Sequence, residues 1–183
     1  TANMETKGIK KRVAHLVKMK RSQGFWIHVH VSTPCKTGSP LQRFRETEKL
    51  SSEEQQTWEQ VMEATTHYLR LGDVGSFELP LYNNIWGRPL TLRVMEKCGL
   101  VHQSVVNLCQ AGYSGRSGTP VGKKLSFVSS SRGFCASLTK RFGKCTCSEH
   151  AAFSDTDYSK TAFYSPTLSR GILNAMKAAR RDP

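Results

Sequence analysis

Four groups of side chains in this chain have types and spacings that suit chemistry. Cys145-Thr146-Cys147-Ser148-Glu149-His150 puts two thiols and an imidazole within six residues. Zinc takes Cys and His in tetrahedral sets of four, although its usual thiol pair is spaced more widely than Cys-x-Cys. A fourth ligand must come from elsewhere, and Cys135 is nearest in sequence. The expected metal set is therefore Cys135, Cys145, Cys147 and His150; a loop of reduced thiols beside a solvated imidazole is the plainer reading. Thr33-Pro34-Cys35 places a thiol after an apolar run. Proline restricts the backbone there, and Lys36 supplies positive charge that would favour the nucleophilic thiolate. Glu78 closes the next apolar run, at Phe77-Glu78-Leu79-Pro80. In α/β folds, ligands and reactive groups gather at the carboxyl ends of strands. Cys35 and Glu78 are thus expected at one rim, although each residue alone also fits a structural role. Finally, His28 and His30 alternate on one strand face and read as a half-exposed polar face in preference to a metal pair.

Cations dominate the rest. The chain has 27 Lys and Arg against 14 Asp and Glu, a net charge of +13 over 183 residues. From Lys97 to Ser148 there is no acidic residue, whereas Arg116, Lys123, Lys124, Arg132, Lys140, Arg141 and Lys144 lie within that stretch. A segregated basic surface suits neutralisation of phosphates, so DNA or RNA is the expected partner. Candidate contacts are Lys36, Arg88, Arg116, Lys123 and Lys124, with Trp86 able to stack on an unpaired base. The Gly112–Gly122 connection lacks the Gly-Lys-Ser/Thr of a phosphate-binding P-loop, which excludes that form of nucleotide hydrolysis.

The elements that would position these groups follow from periodicity. Basic residues 5–21 suit a helix, which with its flanks gives an amino-terminal arm over 1–22. Phe25, Ile27, Val29 and Val31 alternate as a strand. Ser51-Ser52-Glu53-Glu54 opens a helix bearing Trp58, Met62, Thr65 and Leu69. Ser76–Leu79, Val101–Cys109 and Lys124–Ser130 read as strands; Leu90–Lys97 and Gly133–Arg141 read as helices. Ser165-Pro166 starts a last helix. This alternation predicts one α/β domain over 23–183, Rossmann-like, with a mostly parallel sheet of four to five strands, flanking helices and a Cys/His loop at 143–151. With 38% apolar residues the chain has enough for a core, and no apolar run approaches the roughly 18 residues of a membrane span. Six cysteines without disulfide-scaffold density, and no apolar signal core in Thr1–Arg21, suggest an intracellular setting, nuclear or cytoplasmic.

The order strand–Pro-Cys, helix, strand–Glu-x-Pro, helix, strand, Gly-containing loop, basic pair, strand resembles the carboxyl half of cytosine-C5 DNA methyltransferases. Similar segments occur in retroelement polyproteins of dinoflagellates and related protists. Their likeness includes Glu78 to Trp86, Gly118-Thr119-Pro120-Val121-Gly122-Lys123-Lys124 and Phe163-Tyr164-Ser165-Pro166. The resemblance implies Cys35 as nucleophile and Glu78 at the cytosine ring, with Leu79-Pro80 standing where the family has Asn-Val. The family's S-adenosylmethionine-binding strands have no counterpart before Cys35, so that cofactor is expected only if a further segment completes the fold. The resulting expectation is a truncated, degenerate methyltransferase-like domain that binds nucleic acid, with flanking polyprotein domains as further partners. The alternatives are an active cytosine-C5 fragment, or a protein-interaction module of a polyprotein or ribonucleoprotein.

Overall fold

A computed structural model describes residues 7–32, 52–152 and 163–181. The elements are α1 (Lys7–Ser22), β1 (His28–Ser32), α2 (Ser52–Leu69), β2 (Val74–Pro80), α3 (Pro89–Lys97), β3 (His102–Asn107), β4 (Lys124–Ser129), α4 (Arg132–Phe142) and α5 (Pro166–Ala179). Their sheet has the order β1-β2-β4-β3. Contacts group the chain into two compact units: 1–101 with 128–130, and 102–127 with 131–183.

In the first unit, β1 and β2 run parallel, with His28 opposite Val74 and Ser32 opposite Glu78. Alternation along both strands divides apolar from polar side chains. Val29, Val31, Phe77 and Leu79 join Trp58, Met62 and Leu69 of α2, Val94 of α3 and Val128 in one core. Phe77, Leu79 and Met62 are fully buried there. Asp73 fixes the entry to the strand pair. One carboxylate oxygen accepts from Arg21 at 2.6 Å, and the other accepts from the Ile27 backbone N–H at 2.7 Å. The end of β4 closes on β2 through Gly75: its carbonyl accepts from the Ser129 hydroxyl at 2.8 Å and the Ser130 N–H at 3.1 Å.

In the second unit, α4 packs on β3, and α5 packs on α4. Phe134, Leu138 and Phe142 of α4 and Leu168, Ile172 and Ala175 of α5 are buried. The helices approach closely because Gly171 has no side chain; a Cβ there would overlap the Phe142 ring. Ser165 caps α5, accepting from the Leu168 N–H at 3.1 Å. Asn107, at the end of β3, donates to the carbonyls of Phe142 and Gly143 at 3.0 and 2.8 Å, satisfying acceptors left open at the end of α4.

The expectation of a mostly parallel sheet is corrected. The sheet is mixed, with one parallel pair and the remaining pairs antiparallel. Parallel neighbours need a crossover connection, usually a helix. Between β3 and β4 there is none: the chain folds straight back, with Leu108 N–H donating to the Lys123 carbonyl and Val121 N–H to that of Tyr113, each at 3.0 Å. Among the described residues no helix is long and apolar enough to cross a membrane.

Candidate metal centre

The return of the chain from β3 to β4 creates the site. A short 3-10 turn over Leu108–Ala111 follows β3 and carries Cys109. Asn107 holds the end of α4 beside that turn, so the segment leaving α4 delivers Cys145, Cys147 and His150 to the same place. The ligand atoms of Cys109, Cys145, Cys147 and His150 all lie within 4.8 Å of one another. Cys109 Sγ and Cys145 Sγ are 3.5 Å apart, and Cys145 Sγ lies 3.3 Å from His150 Nε2. Sulfurs bound at about 2.3 Å around a tetrahedral ion stand about 3.8 Å apart. The Cys109–Cys145 separation is near that value and far longer than a disulfide, and all three thiols are free. These four residues form a Cys₃His group that could hold a metal ion.

The surroundings support the set. The Gln110 amide donates toward the sulfurs of both Cys109 and Cys147 at 3.8 Å, and toward the Thr146 hydroxyl at 3.4 Å. The imidazole of His150 packs on Gly122, where a Cβ would stand 3.1 Å from the ring. Next to it, the Ala151 N–H donates to the Pro120 carbonyl at 2.8 Å and ties down the segment bearing His150. The thiols are electrostatically unequal. Burial, then hydrogen bonding with Cys145 and Cys147, pushes Cys109 up to about 11. Cys145 is held below the ordinary cysteine value, first by the Cys147 backbone N–H and then by the Cys109 thiol, with Lys124 adding positive charge.

Cys135 is not the fourth member. It lies on the inner side of α4 beside Phe134, 4% exposed, with its thiol 4.0 Å from the Phe127 carbonyl. Burial pushes that thiol up to about 12, which disfavours the thiolate a metal requires. Nearness along the chain carries no signal for Cys109, because 36 residues separate it from Cys145.

The remaining expected site residues are dispersed. Cys35 and Lys36 lie outside the described residues. Glu78 is 5% exposed at the end of β2, its Oε2 accepting from the Ser32 hydroxyl at 2.8 Å. Trp86 is half-buried: its indole N–H donates to the Pro80 carbonyl at 2.9 Å, and its ring meets Phe77 edge-on at 5.5 Å. That side chain is engaged by the core and is not held out for stacking. Arg88 starts α3 in the first unit. Arg116 is exposed in the β3–β4 loop, while Lys123 and Lys124 are half-buried as the chain enters β4. His28 Nε2 and His30 Nδ1 both bond Ser76 Oγ, at 2.7 and 2.8 Å, so these imidazoles build the sheet's polar face.

Searches against family models, curated proteins and solved structures find no match to this chain.

Proposed function

We propose that the chain is a nucleic-acid-binding domain whose second unit is held together by a structural zinc ion on Cys109, Cys145, Cys147 and His150. The observation that carries this reading is the convergence of those four donors from two segments that share no helix or strand. Three sulfurs and one imidazole match zinc's preference, and a set of four protein ligands leaves no open position for catalysis. Zinc with three thiolates sums to one negative charge, which Lys124 would offset. The ion would fasten the segment after α4 to the β3–β4 loop, and so fix where Arg116, Lys123, Lys124 and Lys144 stand.

Cation distribution supports nucleic acid as the partner. The ion pairs among the described residues, Lys10–Glu63 and Arg21–Asp73, both belong to the first unit. In the second unit Arg116, Arg132, Lys140, Arg141 and Lys144 are exposed. Each phosphate neutralised by such a cation releases condensed counterion, so affinity falls with salt. Purified protein is expected to carry one zinc per chain. It should bind a short single-stranded oligonucleotide with a log–log salt slope near −3, about −0.7 for each of four to five phosphates. No binding at low salt would refute the nucleic-acid reading, and metal-free protein with an unchanged fold would refute the zinc.

A methyltransferase-like origin is the second reading, favoured by the element order β1, α2, β2, α3, β3, loop, β4 and by Glu78 opposite Ser32 at the carboxyl ends of paired strands. An active cytosine-C5 enzyme would require Cys35 to attack the base beside Glu78, and a base would have to displace whatever buries that carboxylate. A covalent adduct with DNA bearing a mechanism-based cytosine analogue, dependent on S-adenosylmethionine and lost in Cys35→Ala, tests it. Without adduct, the degenerate scaffold stands.

A further inference from the structure

The first unit has a cavity that neither the metal nor the methyltransferase resemblance uses. It is about 800 Å³, within the range of small-molecule sites, and is walled by α1, α2 and α3. Leu71 and Leu90, half-buried above the core residues Met62 and Val94, give it an apolar floor, and Arg70, Arg93 and Lys97 bring three cations to it. All three cations are exposed, and none has a carboxylate partner among the described residues. Arg93 and Lys97 are one turn apart on α3, a like-charge spacing that costs stability. Arg70 and Lys97 also converge on Cys98, where their charges oppose the burial that raises its thiol. Of the cavity's two acids, Glu63 pairs with Lys10 at 3.4 Å, and Glu59 accepts a single hydrogen bond from the neutral Gln55 amide at 3.3 Å.

We propose that this cavity binds a nucleoside phosphate, its phosphate held by Arg70, Arg93 and Lys97 and its base resting on Leu71 and Leu90. Three unpaired cations against the one carboxylate of Glu59 leave an excess of positive charge that calls for an anion, and the apolar floor is wasted on a bare one. Spare acceptor capacity on Glu59 and Glu63 suits the hydroxyl and amino groups of a nucleoside. Phosphate and base together are the chemistry recognised, whether in a free nucleotide or at the phosphorylated end of a strand. This inference does not rest on the zinc.

Calorimetric titration of the whole chain with the four nucleoside monophosphates, with the matching nucleosides and with inorganic phosphate tests it. At least one nucleotide is expected to bind tenfold or more tighter than both its nucleoside and phosphate alone. The double variant R93Q/K97Q, surface changes whose folding circular dichroism checks, should weaken it at least tenfold. Equal affinity for phosphate and every nucleotide, meaning an adventitious ion only, overturns the proposal. So does no binding, or binding that R93Q/K97Q leaves intact. A 5′-phosphorylated oligonucleotide that displaces the nucleotide when its unphosphorylated twin does not assigns the source to strand ends; failure to displace assigns it to free nucleotides.

Discussion

At the scale of single residues, cysteine environment separates the metal group from its neighbours. Cys109 and Cys135 both belong to the second unit, yet one faces two other sulfurs and the other faces a backbone carbonyl in the core. Replacing Cys109 with serine is expected to lower zinc affinity by more than about 100-fold, beyond the usual loss for a supporting residue. Replacing Cys135 with alanine should leave one zinc per chain and cost about 1 kcal/mol of stability through the small cavity it opens. Chelator competition and urea unfolding on the two variants check both; the reverse pattern would restore Cys135 as a ligand. Gly122→Ala should act through His150, whose ring must yield a few tenths of an ångström, with affinity down about tenfold. Three of the four donors were legible in the sequence because they are neighbours in it. The fourth, Cys109, meets the others only through a contact between segments 36 residues apart, and no local pattern encodes that.

Elements were easier to read than their partners. Periodicity located every described helix and strand to within a few residues, including α2 from its capping sequence and α5 from Ser165-Pro166. Strand direction was harder, because alternation is the same in parallel and antiparallel pairs. The β3–β4 return had no helical spacing in it, and that was the available clue to the antiparallel pairing. The β1–β2 pair carries its own test. His28 and His30 share the Ser76 hydroxyl on the polar face. Burial lowers His28 to about 4; burial, then the neighbouring His28, lowers His30 to about 4. Unfolded imidazoles bind protons from about pH 6.5 downward. Between 6.5 and 4 the unfolded chain therefore holds more protons than the folded one, and stability falls as pH falls. Above 6.5 both states are neutral and the contribution is complete. Urea unfolding should show a loss on the order of 1 kcal/mol per pH unit for each imidazole in that window. The variant H28Q/H30Q should flatten the profile, and an unchanged slope would show that other groups set it.

For the whole molecule, the two units draw on different sources of order. The first has a continuous apolar core from Trp58 to Val128, which requires no ligand. The second has a core between α4 and α5, but among the described residues its long β3–β4 loop and the segment after α4 have few buried side chains, Ala111, Tyr113 and Val121 among them. Tyr113 helps through its hydroxyl, which donates to the Phe163 carbonyl at 2.6 Å and accepts from the Ser165 N–H at 2.7 Å. Those bonds anchor the loop at Tyr113, and a metal ion on the Cys₃His group would anchor it at Cys109. Metal removal should consequently act regionally, because binding energy at a site the unfolded chain lacks is folding energy for the segments that form it. With zinc chelated, amide exchange is expected to accelerate by at least tenfold across 108–123 and 143–151. Protection around Met62 and Phe77 should persist, since that core contains none of the ligands. Oligonucleotide affinity should fall with the loop's order, and re-added zinc should restore both. Uniform acceleration over both units would mean that the ion stabilises the fold globally. Unchanged exchange at 108–123 would mean that hydrogen bonds and packing already order this loop, leaving the thiols no structural task.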